Sequence, residues 1–193
     1  MNAEKLLQLL NFIAPFSAAL DQRFRETLRE ENYPKGHLLL KQGDTSRKIY
    51  FINKGFARAF HINGDKECTT WFMGEGDLMI SVYSFYTQQP AMEYIELLTD
   101  SELLSMSWNQ LQSIYADFPE YNFIGRKVTV KYYMLSEERA TITRTLSAAD
   151  RYQLLLKTYP QILLNAKLSQ VASFLGMTPE TLSRVRSKKS VLI

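Results

Sequence analysis

The sequence predicts an α+β chain: an antiparallel jelly roll or barrel, then one long helix, then a small all-α unit. Three observations predict it. Glycines at 36, 43, 55, 64, 74 and 76 separate short runs rich in aromatic and β-branched residues between 33 and about 108, the rhythm of short antiparallel strands. Behind Pro119, apolar residues recur at helical spacing to about Thr143. Residues 168–186 then read as a helix, a glycine turn and a second helix.

Taken in order, residues 1 to about 32 are helical in pattern. Leu6, Leu9, Leu10 and Ile13 make one apolar stripe, and Leu20, Phe24 and Leu28 make another after Pro15. The strand block follows, with runs such as Ile49-Tyr-Phe-Ile52, Phe56-Ala-Arg-Ala-Phe60 and Thr69-Thr-Trp-Phe72, and the turn signal Asn63-Gly64-Asp65. In the long helix, Tyr121, Val128, Leu135 and Ile142 lie seven apart, with Ile124 and Tyr132 beside that seam. A seven-residue repeat favours packing along a partner helix. Two readings stay open: the helix lies on its own barrel, or it pairs with its copy in a two-fold dimer. Thr145-Leu-Ser-Ala-Ala-Asp150 reads as a hinge and helix start, with Ser147 as N-cap. The division is therefore 1–118 for helices and barrel, 119–146 for the long helix and hinge, and 147–193 for the terminal unit.

In the terminal unit, Leu168, Val171, Ala172 and Leu175 form one apolar stripe, and Gly176 ends the first helix. Thr178 is a good N-cap, followed by Pro179 at the first helical position. Leu182 and Val185 face inward, which leaves Glu180, Thr181, Ser183, Arg184 and Arg186 on or near the outer face. This is the helix-turn-helix layout, whose second helix enters the major groove of DNA. After Glu180 there is no acidic residue, yet Arg184, Arg186, Lys188 and Lys189 follow. Charge so placed meets phosphate, although the net charge of the whole chain is only +3.

Composition excludes several classes. The single cysteine, Cys68, forms no intramolecular disulfide and cannot ligate an iron–sulfur cluster. His37 and His61 are the only histidines, and no four-ligand zinc spacing is present. No catalytic triad or paired carboxylates are visible, so an enzyme is not expected. No stretch approaches the roughly 18 apolar residues of a membrane span, and the N-terminus lacks a signal-peptide pattern. A cytoplasmic protein without a membrane partner is expected.

The strand block carries Tyr33-Pro-Lys-Gly36, Lys41-Gln-Gly-Asp44, Ile49-Tyr-Phe-Ile52, Gly55, Arg58, Phe60 and Gly76-Asp77. This order resembles the cyclic-nucleotide-binding barrel. With the long helix and helix-turn-helix behind it, nearly the whole chain resembles the Crp/Fnr family of bacterial transcription regulators. Thr178-Pro-Glu-Thr-Leu-Ser-Arg184 looks closest to members from the Bacteroidetes. The resemblance implies a homodimer on double-stranded palindromic DNA, RNA polymerase as a candidate partner, and Tyr121, Ile124, Val128, Tyr132, Leu135 and Ile142 as the dimer helix. It makes Glu180 and Arg184 the base-reading pair, since arginine suits guanine and glutamate suits cytosine N4. Ser169, Thr178, Thr181 and Ser183 join the interface as hydroxyl neighbours, and Arg186, Lys188 and Lys189 supply backbone affinity.

The sequence departs from the family in two places. Nucleotide-binding members have a Gly-Glu pair and an Arg-Ser or Arg-Thr pair around the phosphate. Here those positions fall on Ile80 and Ser81 and near Ala91 and Met92, with no arginine or lysine between Lys66 and Arg126. A buried phosphate without a cation is costly, so cyclic AMP is not expected in the usual mode and no cofactor is implied. Ser81, Val82, Tyr83, Ala91 and Met92 either line a smaller apolar pocket for an unknown effector or simply fill the barrel. The second departure is the chain's stop at Ser190-Val-Leu-Ile193, too short for the β-hairpin wing of the family. The rival to a DNA-binding regulator is a ligand-sensing or interaction module that no longer grips DNA.

Overall fold

The computed structural model describes residues 3–187. Helix α1 (Glu4–Ile13) buries Leu6, Leu7 and Leu10. Helix α2 (Ala18–Thr27) is capped by Ser17, whose Oγ accepts from the Leu20 N–H at 3.2 Å. The helical reading to residue 32 fails at Leu28, where the backbone turns extended. Arg29–Tyr33 is strand β1, paired antiparallel with Ser101–Ser105. The ladder overrides local propensity here. The Glu31 carboxylate accepts from the Lys48 ammonium at 2.6 Å, and from the Ser105 hydroxyl.

Strands β2 (Leu38–Leu40), β3 (Lys48–Lys54), β4 (Ala57–Asn63), β5 (Lys66–Met73), β6 (Leu78–Met79), β7 (Tyr94–Leu97) and β8 (Ser101–Ser107) complete the block. They form two four-stranded antiparallel sheets, ordered β1-β8-β3-β6 and β2-β7-β4-β5. This is the anticipated jelly roll. The β4–β5 hairpin turns at Gly64 and Asp65, with Gly64 at φ +62°, a backbone region where glycine carries no Cβ penalty. Between the sheets, Leu40, Ile52, Met79, Ile95, Leu97 and Leu103 pack as a closed apolar core. A short helix absent from the sequence reading, α3 (Val82–Thr87), follows β6.

Helix α4 (Trp108–Asp117) starts at a capping box made by Ser107 and Gln110. Helix α5 (Pro119–Thr145) has 27 residues. Gly125 lets the Tyr115 ring lie where a Cβ would stand. The seven-residue seam faces this helix's own chain, which corrects the dimer reading of those residues. Tyr121 and Ile124 are 8% and 0% exposed in a core shared with α1, α2 and α4. Val128 packs against the same core. The Tyr132 hydroxyl accepts from the Leu78 N–H at 2.7 Å. Leu135 and Ile142 line a cavity facing the C-terminal helices. Periodicity identified a buried face, and its partner is the molecule's own body. The outward face instead exposes Phe123, Val130, Tyr133 and Met134, the last two at 63% and 64%.

Helix α6 (Ala148–Thr158) begins at Ser147, whose Oγ accepts from the Asp150 N–H at 3.2 Å. The short helix α7 (Gln161–Asn165) leads to α8 (Leu168–Phe174) and α9 (Pro179–Ser187). Their common core is Tyr152, Leu155, Ile162, Val171, Leu175 and Leu182.

Candidate nucleic-acid interface

The α8–α9 hairpin is built around Gly176. Its φ of +62° sits in the left-handed region, the usual helix-ending conformation. The Gly176 N–H donates to the Ser173 carbonyl at 2.9 Å and the Met177 N–H to that of Ala172 at 3.0 Å. Ala172 is fully buried, as a close helix approach requires. Thr178 caps α9, its Oγ1 accepting from the Thr181 N–H at 3.2 Å. Leu182 points inward at 1% exposure, with Val185 half-buried beside it. Leu168 does not join the apolar stripe, because it is 49% exposed at the start of α8.

The outer face of α9 carries the polar set. Glu180, Ser183, Arg184 and Arg186 are exposed, Thr181 is half-buried, and Ser169 and Thr178 are exposed at the starts of α8 and α9. The Arg184 guanidinium donates to the Thr181 hydroxyl at 3.2 Å, which lays it along the helix face. The Glu180 carboxyl is held below its ordinary range by its own backbone N–H and the Thr178 hydroxyl, with Lys66 and Arg184 adding to the effect. It is ionised near neutral pH. Lys188, Lys189 and the tail from Ser190 lie outside the described residues.

The hairpin rests on the barrel. Ser173 Oγ accepts from the Thr69 N–H at 2.9 Å and donates to the Glu67 carbonyl at 3.1 Å. Phe174 meets Phe72 with ring centres 5.0 Å apart, and the Arg139 guanidinium lies 4.3 Å from the Phe174 ring centre. No sequence signal marked these contacts.

The five proposed effector-pocket residues do not converge. Ser81 and Ala91 are 2% and 3% exposed, whereas Val82, Tyr83 and Met92 face solvent at 61%, 58% and 64%. The short helix α3 carries Val82 and Tyr83 to the exposed surface. Of the two earlier readings, neither describes all five. The barrel also holds a cation the pocket reading did not weigh. Arg58 is 2% exposed, pairs with Glu67 at 2.6 Å and Glu96 at 2.7 Å, and lies 4.0 Å over the Phe60 ring. Its charge is already answered. Among the described residues, no group of three or more His, Cys, Asp or Glu is placed to hold a metal. None of the described helices is long and apolar enough to cross a membrane.

Residues 30–118 match the cyclic nucleotide-binding domain family. That span runs from within β1 to the end of α4 and takes in all but the first residue of the jelly roll's strands. No curated protein matches the chain. Solved structures extend the likeness to the C-terminal helices. CLP, the c-di-GMP-responsive global regulator of Xanthomonas campestris, is 20% identical with a TM-score of 0.69, over 91% of this chain and 92% of that one. FixK2 from Bradyrhizobium japonicum is 17% identical with a TM-score of 0.72, over 86% and 85%. A protein from Eubacterium rectale assigned to the Crp/Fnr family of transcriptional regulators is 12% identical with a TM-score of 0.71, over 91% and 84%. The chain therefore has the Crp/Fnr fold: a cyclic nucleotide-binding type jelly roll, a long helix, and a helix-turn-helix end.

Proposed function

We propose that the chain is a DNA-binding transcription regulator of the Crp/Fnr type, working as a homodimer in the bacterial cytoplasm. The observation that carries this reading is the outer face of α9. It presents Glu180, Ser183, Arg184 and Arg186 on a complete helix-turn-helix, with Arg184 oriented by Thr181. Arg184 reads guanine O6 and N7, and the ionised Glu180 accepts from cytosine N4. Ser169, Thr178 and the start of α9 hold phosphate oxygens. Arg186, with Lys188 and Lys189 of the tail, adds salt-dependent affinity. The Thr178–Arg184 opening supports a Bacteroidetes-like member, and RNA polymerase is the further partner this role implies. The lack of any arginine or lysine between Lys66 and Arg126, where nucleotide-binding members carry theirs, supports a reading without cyclic AMP in the usual mode.

The dimer forms through the outward face of α5. Phe123, Val130 and Met134 lie on one stripe of that helix with Tyr133 beside them, all of them exposed. Two-fold pairing places the two α9 helices about one DNA turn, roughly 34 Å, apart. Selection from random duplex DNA tests the reading. The expected product is an inverted repeat with half-sites about 10 base pairs apart. Met134→Glu is expected to convert the dimer to monomer in sedimentation and to abolish selection of the paired site. Absence of any sequence enrichment would instead support an interaction module that no longer binds DNA.

A further inference from the structure

A cavity of about 180 Å³ lies where β5, α5, α6 and the α8 end meet. Its wall is largely apolar, with Trp71, Met73, Leu135, Ile142, Leu154 and Tyr159 among its residues. Two arginines stand in that wall, Arg139 and Arg151. Neither has an ion pair among the described residues. In each, Nε is buried and lacks a hydrogen-bond partner. Among the described residues their other nitrogens reach only carbonyls: Arg139 donates to Phe174 at 3.4 Å and Arg151 to Thr143 at 3.0 Å.

Orphaned buried donors are rare and costly, more so when charged. Burial pulls the Arg139 guanidinium down to about 10, the direction of a cation short of an anion. The carboxylates on the same wall do not supply one. Asp77 accepts from the Gly74 N–H at 2.9 Å and from the Tyr132 hydroxyl at 3.4 Å, and Glu138 is exposed. The planar fork of arginine is matched to a carboxylate. An apolar cavity of this order accommodates about one aromatic ring.

We propose that this cavity binds a small organic acid with an aromatic or short branched apolar body, its carboxylate held by Arg139 and Arg151. The apolar body packs against Trp71, Leu135, Ile142 and Leu154. The cavity wall belongs partly to the barrel and partly to the helix-turn-helix unit. A ligand there favours the arrangement in which α8 rests on β5, so it shifts the population of α9 orientations. The site stands on the cavity itself, and its effect on DNA rests on the proposed function.

Trp71 lies in the wall, and the sequence has two tryptophans. Trp108→Phe therefore leaves a single indole as reporter. Benzoate, phenylacetate and hexanoate are titrated at fixed ionic strength, with benzyl alcohol as the uncharged match of benzoate. The expected result is a saturable change in Trp71 emission for at least one acid. The benzoate response should be about tenfold tighter than that of benzyl alcohol, the ratio equal to 1.4 kcal/mol. Arg139→Gln should abolish it. If that variant does not fold, Arg139→Lys decides: it keeps the charge, loses the fork, and should weaken binding about tenfold. Leu154→Phe, which fills the cavity, should abolish binding while keeping a cooperative melt. The proposal is overturned if none of the acids binds, if acid and alcohol bind equally, or if a folded Arg139 variant binds as the parent does. A saturable acid isotherm in a chain without DNA selectivity would refute the proposed function and leave this site standing.

Discussion

Arg58 on β4 and Arg139 on α5 are two arginines withdrawn from solvent near the outer face of the β2-β7-β4-β5 sheet. Arg58, inside the strand block, has two carboxylates within 2.7 Å and an aromatic face at 4.0 Å. Among the described residues, Arg139, on α5, has only the rings of Phe174 and Trp71 at 4.3 and 5.7 Å and one carbonyl. The jelly roll thus answers the charge of Arg58 from within its own strands. The cleft between β5, α5 and α6 leaves a charge without an ion pair among the described residues, beside an open space. The two regions differ in what their guanidinium can still bind. The proposed control of the chain by a small organic acid is therefore placed in the cleft.

The largest test of that contrast is Arg58→Met. It removes the cation between Glu96 and the half-exposed Glu67 and should destabilise the chain by about 2 kcal/mol, mostly through Glu96. Urea unfolding reads this, and a cost near zero would erase the difference between the regions. Gly176→Ala comes next. It forces an L side chain to φ +62° and sets a Cβ 3.2 Å from Thr143 Cγ2 and 3.3 Å from Arg151 Nη1, at the cavity wall. The expected cost is about 1–2 kcal/mol, with faster amide exchange across α8 and α9 than in the jelly roll. Arg139→Met should be the mildest, within about 1 kcal/mol of the parent or slightly more stable. A loss as large as that of Arg58→Met would mean Arg139 has a partner of its own.

Much of the fold was legible because its signals are local. The glycine rhythm marked the strands, Pro119 opened α5, and Gly176 with Thr178 and Pro179 marked the hairpin. The failures have one physical source, which is partners distant in sequence. Arg29–Tyr33 became a strand because β8 pairs with it. The Tyr121–Ile142 repeat showed which face of α5 is buried, but a period carries no record of what buries it. Arg58 meets Glu96 across 38 positions, and Ser173 meets Glu67 across 106. The pocket residues were placed by alignment to a phosphate cassette, and α3 turned Val82 and Tyr83 outward. The outer face of α9 was readable because helical spacing alone assigns it.

The claim that α9 reads DNA is tested most directly by fluorescence anisotropy on the selected inverted repeat, across a range of salt. The parent should bind with log Kd rising steeply with log salt, by about 0.9 per phosphate neutralised. Arg184→Ala should lose about 1–3 kcal/mol on that repeat and almost nothing on scrambled duplex. Equal affinity of parent and Arg184→Ala for the repeat, at every salt concentration, would contradict the account.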